Sequence, residues 1–270
     1  MLATPTGAIT ASQIGAQKIN IFSNTYNSGV FYGSENSTGW NQIYDVNAIV
    51  YLGNASFTYV STTSSNMDAI AIGVGLSPIN PTQTILGNVP TALATSVYVG
   101  ITVEYFENGS YGIYAFVGNA VSQTKILSSL KGVEATIGLI NYENGTFEYV
   151  VSLTKYGGNI LFVGGYGNWP FSNYNSYTAS ILIEPESGYS YPLVSGGLIE
   201  NFGFNYLYNG QVYSGPGTPV SGTSFYADIL QGITATNVYI TLVNGWGSTG
   251  SWSYLFQFYN TNNGQSTYGL

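Results

Sequence analysis

The chain has 270 residues, with twelve Asp or Glu against four Lys and no Arg, and a formal net charge of −8 at pH 7. It has no His and no Cys, which excludes a Ser-His-Asp triad, a thiol nucleophile, a disulfide and any His- or Cys-ligated metal site. Four cations cannot neutralise a nucleic-acid backbone, so DNA and RNA are excluded as partners.

In chain order, the opening MLATPTGAITAS holds neither a basic segment nor an apolar one. A secretory signal, if the protein is secreted, has therefore been removed. Residues 1–20 read as a leading arm, ahead of a single domain over 21–270. From there the dominant period is two. Val97, Val99, Ile101, Val103 and Tyr105 alternate with small or polar residues, as do Phe147, Tyr149 and Val151. Tyr177, Ala179, Ile181 and Ile183 follow, then Val238, Ile240 and Leu242. Such alternation predicts half-buried strands. Between them stand Asn108-Gly109, Asn144-Gly145, Gly157-Gly158, Asn209-Gly210 and Asn244-Gly245, each a hairpin signal. The nearest approach to a helix is SSLKG around Leu130, about one turn, and SGPGTPVSG at 214–222 reads as a long loop. No apolar run reaches the 18 or so residues of a membrane span. The prediction is an all-β protein of about a dozen strands, a single sandwich of two antiparallel sheets.

The charge content is 6%, against about 25% in ordinary soluble domains. Acid unfolds proteins by protonating paired carboxylates and charging buried His. This chain has few of the former and none of the latter. It is predicted to be acid-stable and to work outside the cell in an acidic setting. Sequons at Asn36, Asn54, Asn108 and Asn144 fit an extracellular surface, as weak signals in so Asn-rich a chain.

Only carboxylates, hydroxyls, amides and Tyr remain as catalytic material. Asp45, Asp68 and Asp228 are the three aspartates, and none lies in a D-T-G or D-S-G setting. Glu35, Glu107 and Glu143 sit beside turns, where solvated carboxylates are ordinary. Glu184 ends the strand YTASILIE, on the face of Thr178, Ser180 and Leu182. Glu104 lies within VYVGITVEYF, on the face of Tyr98, Gly100 and Thr102. A carboxylate in mid-strand suits a groove on a sheet, where partial desolvation makes it a usable acid or base.

The segment YTASILIEPESGYSYPLVSGGLIENFGF resembles the signature of the glutamic peptidases, the pepstatin-insensitive acid endopeptidases also called eqolisins. Their hexad has the form A-E-[FW]-I-[IV]-E. Ala179 to Glu184 match it in spacing, with Ser180 and Ile181 as departures. Upstream, SNTYNSGVFYGS at 23–34, AIAIGVGL at 69–76, PTQTILGN at 81–88 and ITVEYF at 101–106 resemble the family's further segments in order. They lack its cleft tryptophan and carry Ile85 in place of its glycine. The closing strands over 238–259 fit as well. The resemblance implies a lectin-like, concanavalin A-like sandwich. It also implies a metal-free and cofactor-free mechanism on a polypeptide substrate. Glu184 would be the general base on a water and Gln83 the amide partner. Glu104 with Tyr105 would stand behind the dyad or touch substrate.

Other readings stay open. One is a β-rich filament or adhesin subunit, self-associating through its leading arm as a donor strand. Another is a capsid jelly roll. A third is a sandwich-fold glycoside hydrolase or carbohydrate-binding protein. That reading pairs Glu184 with Glu104 or with Glu186 beyond a strand-breaking Pro185, and uses Trp40, Trp169, Trp246 and Trp252 as sugar platforms.

Overall fold

The computed structural model describes residues 28–53, 55–59, 67–78, 96–185, 193–215, 219–230, 236–244 and 252–260. The expected arm over 1–20 lies outside them. They form eighteen strands and no helix.

One sheet runs β16 (Thr223–Leu230), β1 (Ser28–Asn36), β13 (Thr178–Pro185), β5 (Met67–Ser77), β6 (Val97–Phe106), β7 (Tyr111–Val117) and β8 (Ala120–Val121). The short β2 (Gly39–Trp40) pairs with β1, and β9 (Lys125–Leu127) with β7. The other sheet runs β12 (Gly158–Asn168), β11 (Thr146–Lys155), β10 (Val133–Asn141), β3 (Gln42–Tyr51), β14 (Leu193–Tyr208), β18 (Trp252–Asn260) and β17 (Thr236–Asn244). There β15 (Gln211–Gly215) and β4 (Ser56–Thr58) pair with β14. The pairings are antiparallel, and neither order closes into a barrel. This is the two-sheet sandwich the alternation predicts. The strand count exceeds the expected dozen partly because β2, β4, β8 and β9 are only two or three residues long.

The core lies between the sheets. β10 buries Val133, Ala135, Ile137 and Leu139, and β11 buries Phe147, Tyr149, Val151 and Leu153. Opposite them the first sheet turns inward Ile70, Ile72, Val74 and Leu76 of β5, and Val99, Ile101 and Val103 of β6. Tyr32 of β1 packs across the gap on Phe202 and Phe204 of β14, with centroids 5.0 and 5.9 Å apart. Each buried aliphatic or aromatic side chain contributes about 1.5–3 kcal/mol relative to exposure, so these rows hold the sheets face to face.

Turn chemistry sets the register. Asn209 and Gly210 have φ of 52° and 72°, the two-residue turn whose twist suits a hairpin. The expected Gly157-Gly158 turn is displaced by one residue. Tyr156 and Gly157 take φ of 50° and 77°, while Gly158 already opens β12. SSLKG forms no helix; Leu130 is buried, and its carbonyl accepts from Val133 N at 2.9 Å. Ser214 and Gly215 belong to β15, paired with Asn205 and Phe204, so the loop expected at 214–222 starts later. Pro185 does not break β13: it closes the strand opposite Ile70.

Candidate active site

The first sheet has a second face, turned away from the core, and the register defines its rows. Glu184 of β13 is the partner of Ala71, Ala71 of Thr102, and Thr102 of Tyr114. One row along, Leu182 meets Gly73, Gly100 and Phe116; beyond it, Ser180 meets Gly75 and Tyr98. On the other side of the Glu184 row, Ala69 partners Glu104, and Glu104 partners Gly112. Glu184 and Glu104 therefore share this outer face. They are two strands apart and offset by two residues, about 12 Å between Cα atoms by ordinary strand spacing.

Much of this face is buried: Tyr98, Thr102, Phe116, Thr178 and Ser180 are each buried although they point away from the space between the sheets. Small residues make room for the large ones. Tyr98 lies over Gly75, where a Cβ would overlap its ring, and the Phe116 ring covers Gly73 and Gly100. Ser180 Oγ lies 3.3 Å from the Tyr98 hydroxyl and 3.4 Å from the Gly75 carbonyl. The serine that departs from the peptidase hexad thus packs with Tyr98. The Glu104 carboxylate lies across Gly112.

Of the residues singled out in the sequence, Glu184 and Glu104 come to one face. Gln83 lies outside the described residues, as does Glu186 of the alternative pair. Tyr105 is not brought together with Glu104. Alternation puts it on the inner face, half-buried, stacked on Tyr111 at 4.9 Å and tilted against Phe57 of β4 at 5.8 Å. The aspartates do not form a pair by position. Asp45 is on β3 of the second sheet, Asp68 is fully buried on the inner face of β5, and Asp228 is on β16. Trp169 is a core residue whose indole N–H donates to the Asn173 carbonyl at 2.9 Å, so it is no sugar platform. Among the described residues no group of three or more carboxylates could hold a metal ion, and no helix could cross a membrane, which does not bear on strands.

Residues of this face that the alternation reading did not collect are Tyr114 and Phe116 of β7, and Asp228, in the Ser180 row through Phe31. The short segment YGIYAFV carried the signal. Its inner positions Ile113, Ala115 and Val117 imply that Tyr114 and Phe116 face outward. Away from this face, burial raises the carboxyls of Asp45 and Glu143 above their usual range, Asp45 despite the hydrogen bonds it accepts from Asn205 and Asn47.

Fold and register together define a two-sheet antiparallel sandwich whose first sheet carries Glu104 and Glu184 in adjacent rows, two strands apart. Two solved structures of scytalido-glutamic peptidase are similar to this chain. One, with a peptide-based transition-state analogue, is 13% identical with a TM-score of 0.46 over 86% of this chain and 98% of that one. The other, with a transition-state-analogue inhibitor, is 13% identical with a TM-score of 0.48 over 87% and 98%. No protein-family model matches the sequence, and no sequence among curated proteins does.

Proposed function

We propose that this chain is a secreted acid endopeptidase whose general base is Glu184. The supporting observation is the row that sets Glu184 in line with Ala71, Thr102 and Tyr114 across the first sheet, with Glu104 two strands away. A carboxylate placed there takes a proton from a water as that water attacks the scissile carbonyl. It then returns the proton to the leaving amine as the C–N bond breaks. Gln83 supplies the amide that holds the water and donates to the developing oxyanion, and Glu104 borders the substrate. The whole scheme needs no His, in keeping with a chain that has none. Its low charge content fits extracellular work in acid.

The test is hydrolysis of an unfolded protein at about pH 2 to 4, where ordinary carboxyls straddle their pKa. The wild-type chain should cleave it, and pepstatin should have little effect because no aspartate pair is present to bridge. Glu184→Gln should remove most of the activity with an unchanged circular dichroism spectrum. A wild-type chain that cleaves nothing in acid and assembles into filaments would instead support the structural-subunit reading.

A further inference from the structure

A cleft of about 620 Å³ opens at one end of the sandwich, where β3 and β11 finish and β7 and β10 begin. It is separate from the outer face that carries Glu104. Tyr111 lines the cleft on the inner side of the first sheet, whereas its neighbour Gly112 lies on the outer side under Glu104. The volume is in the range of small-molecule sites.

Its walls are built around tyrosine rings. Tyr51 rests on Gly53, whose Cβ position would be 3.0 Å from the ring, and Tyr156 covers Gly132 so closely that a Cβ there would overlap it. Tyr156 is 70% exposed. It also holds φ at 50°, a backbone region that Asn or Gly occupies more readily than an aromatic residue. The turn therefore presents a ring at a local conformational cost. Tyr111 is braced by its stack on Tyr105 at 4.9 Å and its edge contact with Phe57 at 5.5 Å. The loop bordering the cleft is tied down by Lys155 Nζ, which donates to the Ser129 carbonyl at 2.8 Å.

The charged groups of the lining are one ammonium, Lys131, and one carboxylate, Glu134. On a chain of net charge −8 the cleft is thus locally balanced, which disfavours an anion. β3, β7 and β11 are each paired on both sides here, so a peptide could not add to any of these three as a further strand. What remains is ring faces interspersed with hydroxyls from Tyr51, Tyr156, Ser129 and Thr154. A pyranose presents the complement, an apolar C–H face and a polar rim of hydroxyls, and Tyr offers both surfaces in one side chain. We propose that this cleft binds a short neutral saccharide. The assignment is independent of any reaction at Glu184.

The experiment is calorimetric titration of the full chain with maltotriose, mannotriose and xylotriose as probes. Saturable millimolar binding of at least one is expected. Tyr156→Asn keeps a residue suited to the left-handed turn and removes the ring; it should weaken binding about tenfold or more. Tyr156→Phe keeps the ring and should weaken it only a few fold. Glu184→Gln should bind as the wild type does. If none of the three probes binds at millimolar concentration, or if Tyr156→Asn binds as tightly as the wild type, the proposal is overturned.

Discussion

The Glu104 carboxylate occupies the space that a side chain at Gly112 would fill: a Cβ built there overlaps its Oε2 and lies 2.9 Å from Thr124 Cγ2. The two residues are cross-strand partners on β6 and β7, so the absence of a side chain on one fixes where the carboxylate of the other lies. Gly112→Ala should push the Glu104 carboxylate aside. Because the displaced atom is the end of a flexible side chain, the stability cost should be about 1 kcal/mol. Activity on unfolded protein in acid should fall far more than that, if Glu104 borders the substrate. Paired urea unfolding and hydrolysis assays check this, and a variant as active as the wild type would remove Glu104 from the site.

Gly100 is a different case, because backbone stands where its side chain would go. A Cβ there would overlap the Ile72 carbonyl oxygen, lie 2.6 Å from Gly73 Cα and 2.8 Å from the Phe116 ring. No rotamer change relieves a backbone clash. Gly100→Ala should therefore destabilise the chain by about 3 kcal/mol, at the upper end of overpacking costs. A urea midpoint unchanged from wild type would show that β5 and β6 can separate here without cost.

How far the sequence was legible can be judged from these same strands. The period of two in Val97–Tyr105 is a direct imprint of a pleated strand whose aliphatic face meets the opposite sheet, so the sandwich and the outward placement of Glu104 both followed from it; that Tyr98 and Thr102 of the other face are buried too did not. β5 gave a weaker signal. Its outer positions are Ala69, Ala71, Gly73 and Gly75, and nearly every residue of the strand is buried, so composition alone does not separate its two faces. The roles of those glycines were not legible, since Gly75 makes room for the Tyr98 ring and Gly73 for the Val99 carbonyl and the Phe116 ring, which only the assembled sheet brings there. Tyr105 illustrates the limit of adjacency in sequence: one step from Glu104 along a strand is the opposite face of the sheet. The turn at Tyr156-Gly157 was misplaced by one residue because a double glycine permits either register, and strand pairing across β11 and β12 decides between them.

Asp45 bears on behaviour in acid. Burial raises its carboxyl above the usual range, opposed by the hydrogen bonds from Asn205, at 2.7 Å, and from Asn47. A carboxyl with a raised folded-state pKa holds its proton more tightly in the native than in the unfolded chain. Stability therefore rises as pH falls from neutrality through the raised value, and the gain is complete below the ordinary carboxylate pKa of about 4. Glu143, raised by burial as well, acts in the same direction. Asp45→Asn can still accept the Asn205 amide through its own carbonyl while never ionising. The variant should unfold at a higher temperature than wild type near neutrality, and the difference should shrink at about pH 3. A wild-type Tm that drops on acidification more steeply than the variant's would contradict the sign of this argument.

The proposed pairing of Gln83 with Glu184 gives the sharpest test, because two residues that act on one water would contribute inseparably. If the Gln83 amide donates to the developing oxyanion, Gln83→Ala should lower kcat by about 10²–10³. On the same proposal Glu184→Gln removes the base that activates the water, and without that step there would be little oxyanion for Gln83 to stabilise. The double variant Glu184→Gln/Gln83→Ala should therefore be no slower than Glu184→Gln alone, the non-additivity expected of residues that act as one unit. The measurement is kcat on an unfolded protein in acid for the two single variants and the double one, with circular dichroism confirming that each retains its sheets. Independent effects that simply multiply would mean that the two residues do not serve the same step. A Gln83→Ala variant with full activity would mean that the oxyanion takes its hydrogen bond from another donor, of which the Tyr114 hydroxyl in the Glu184 row is the first to examine.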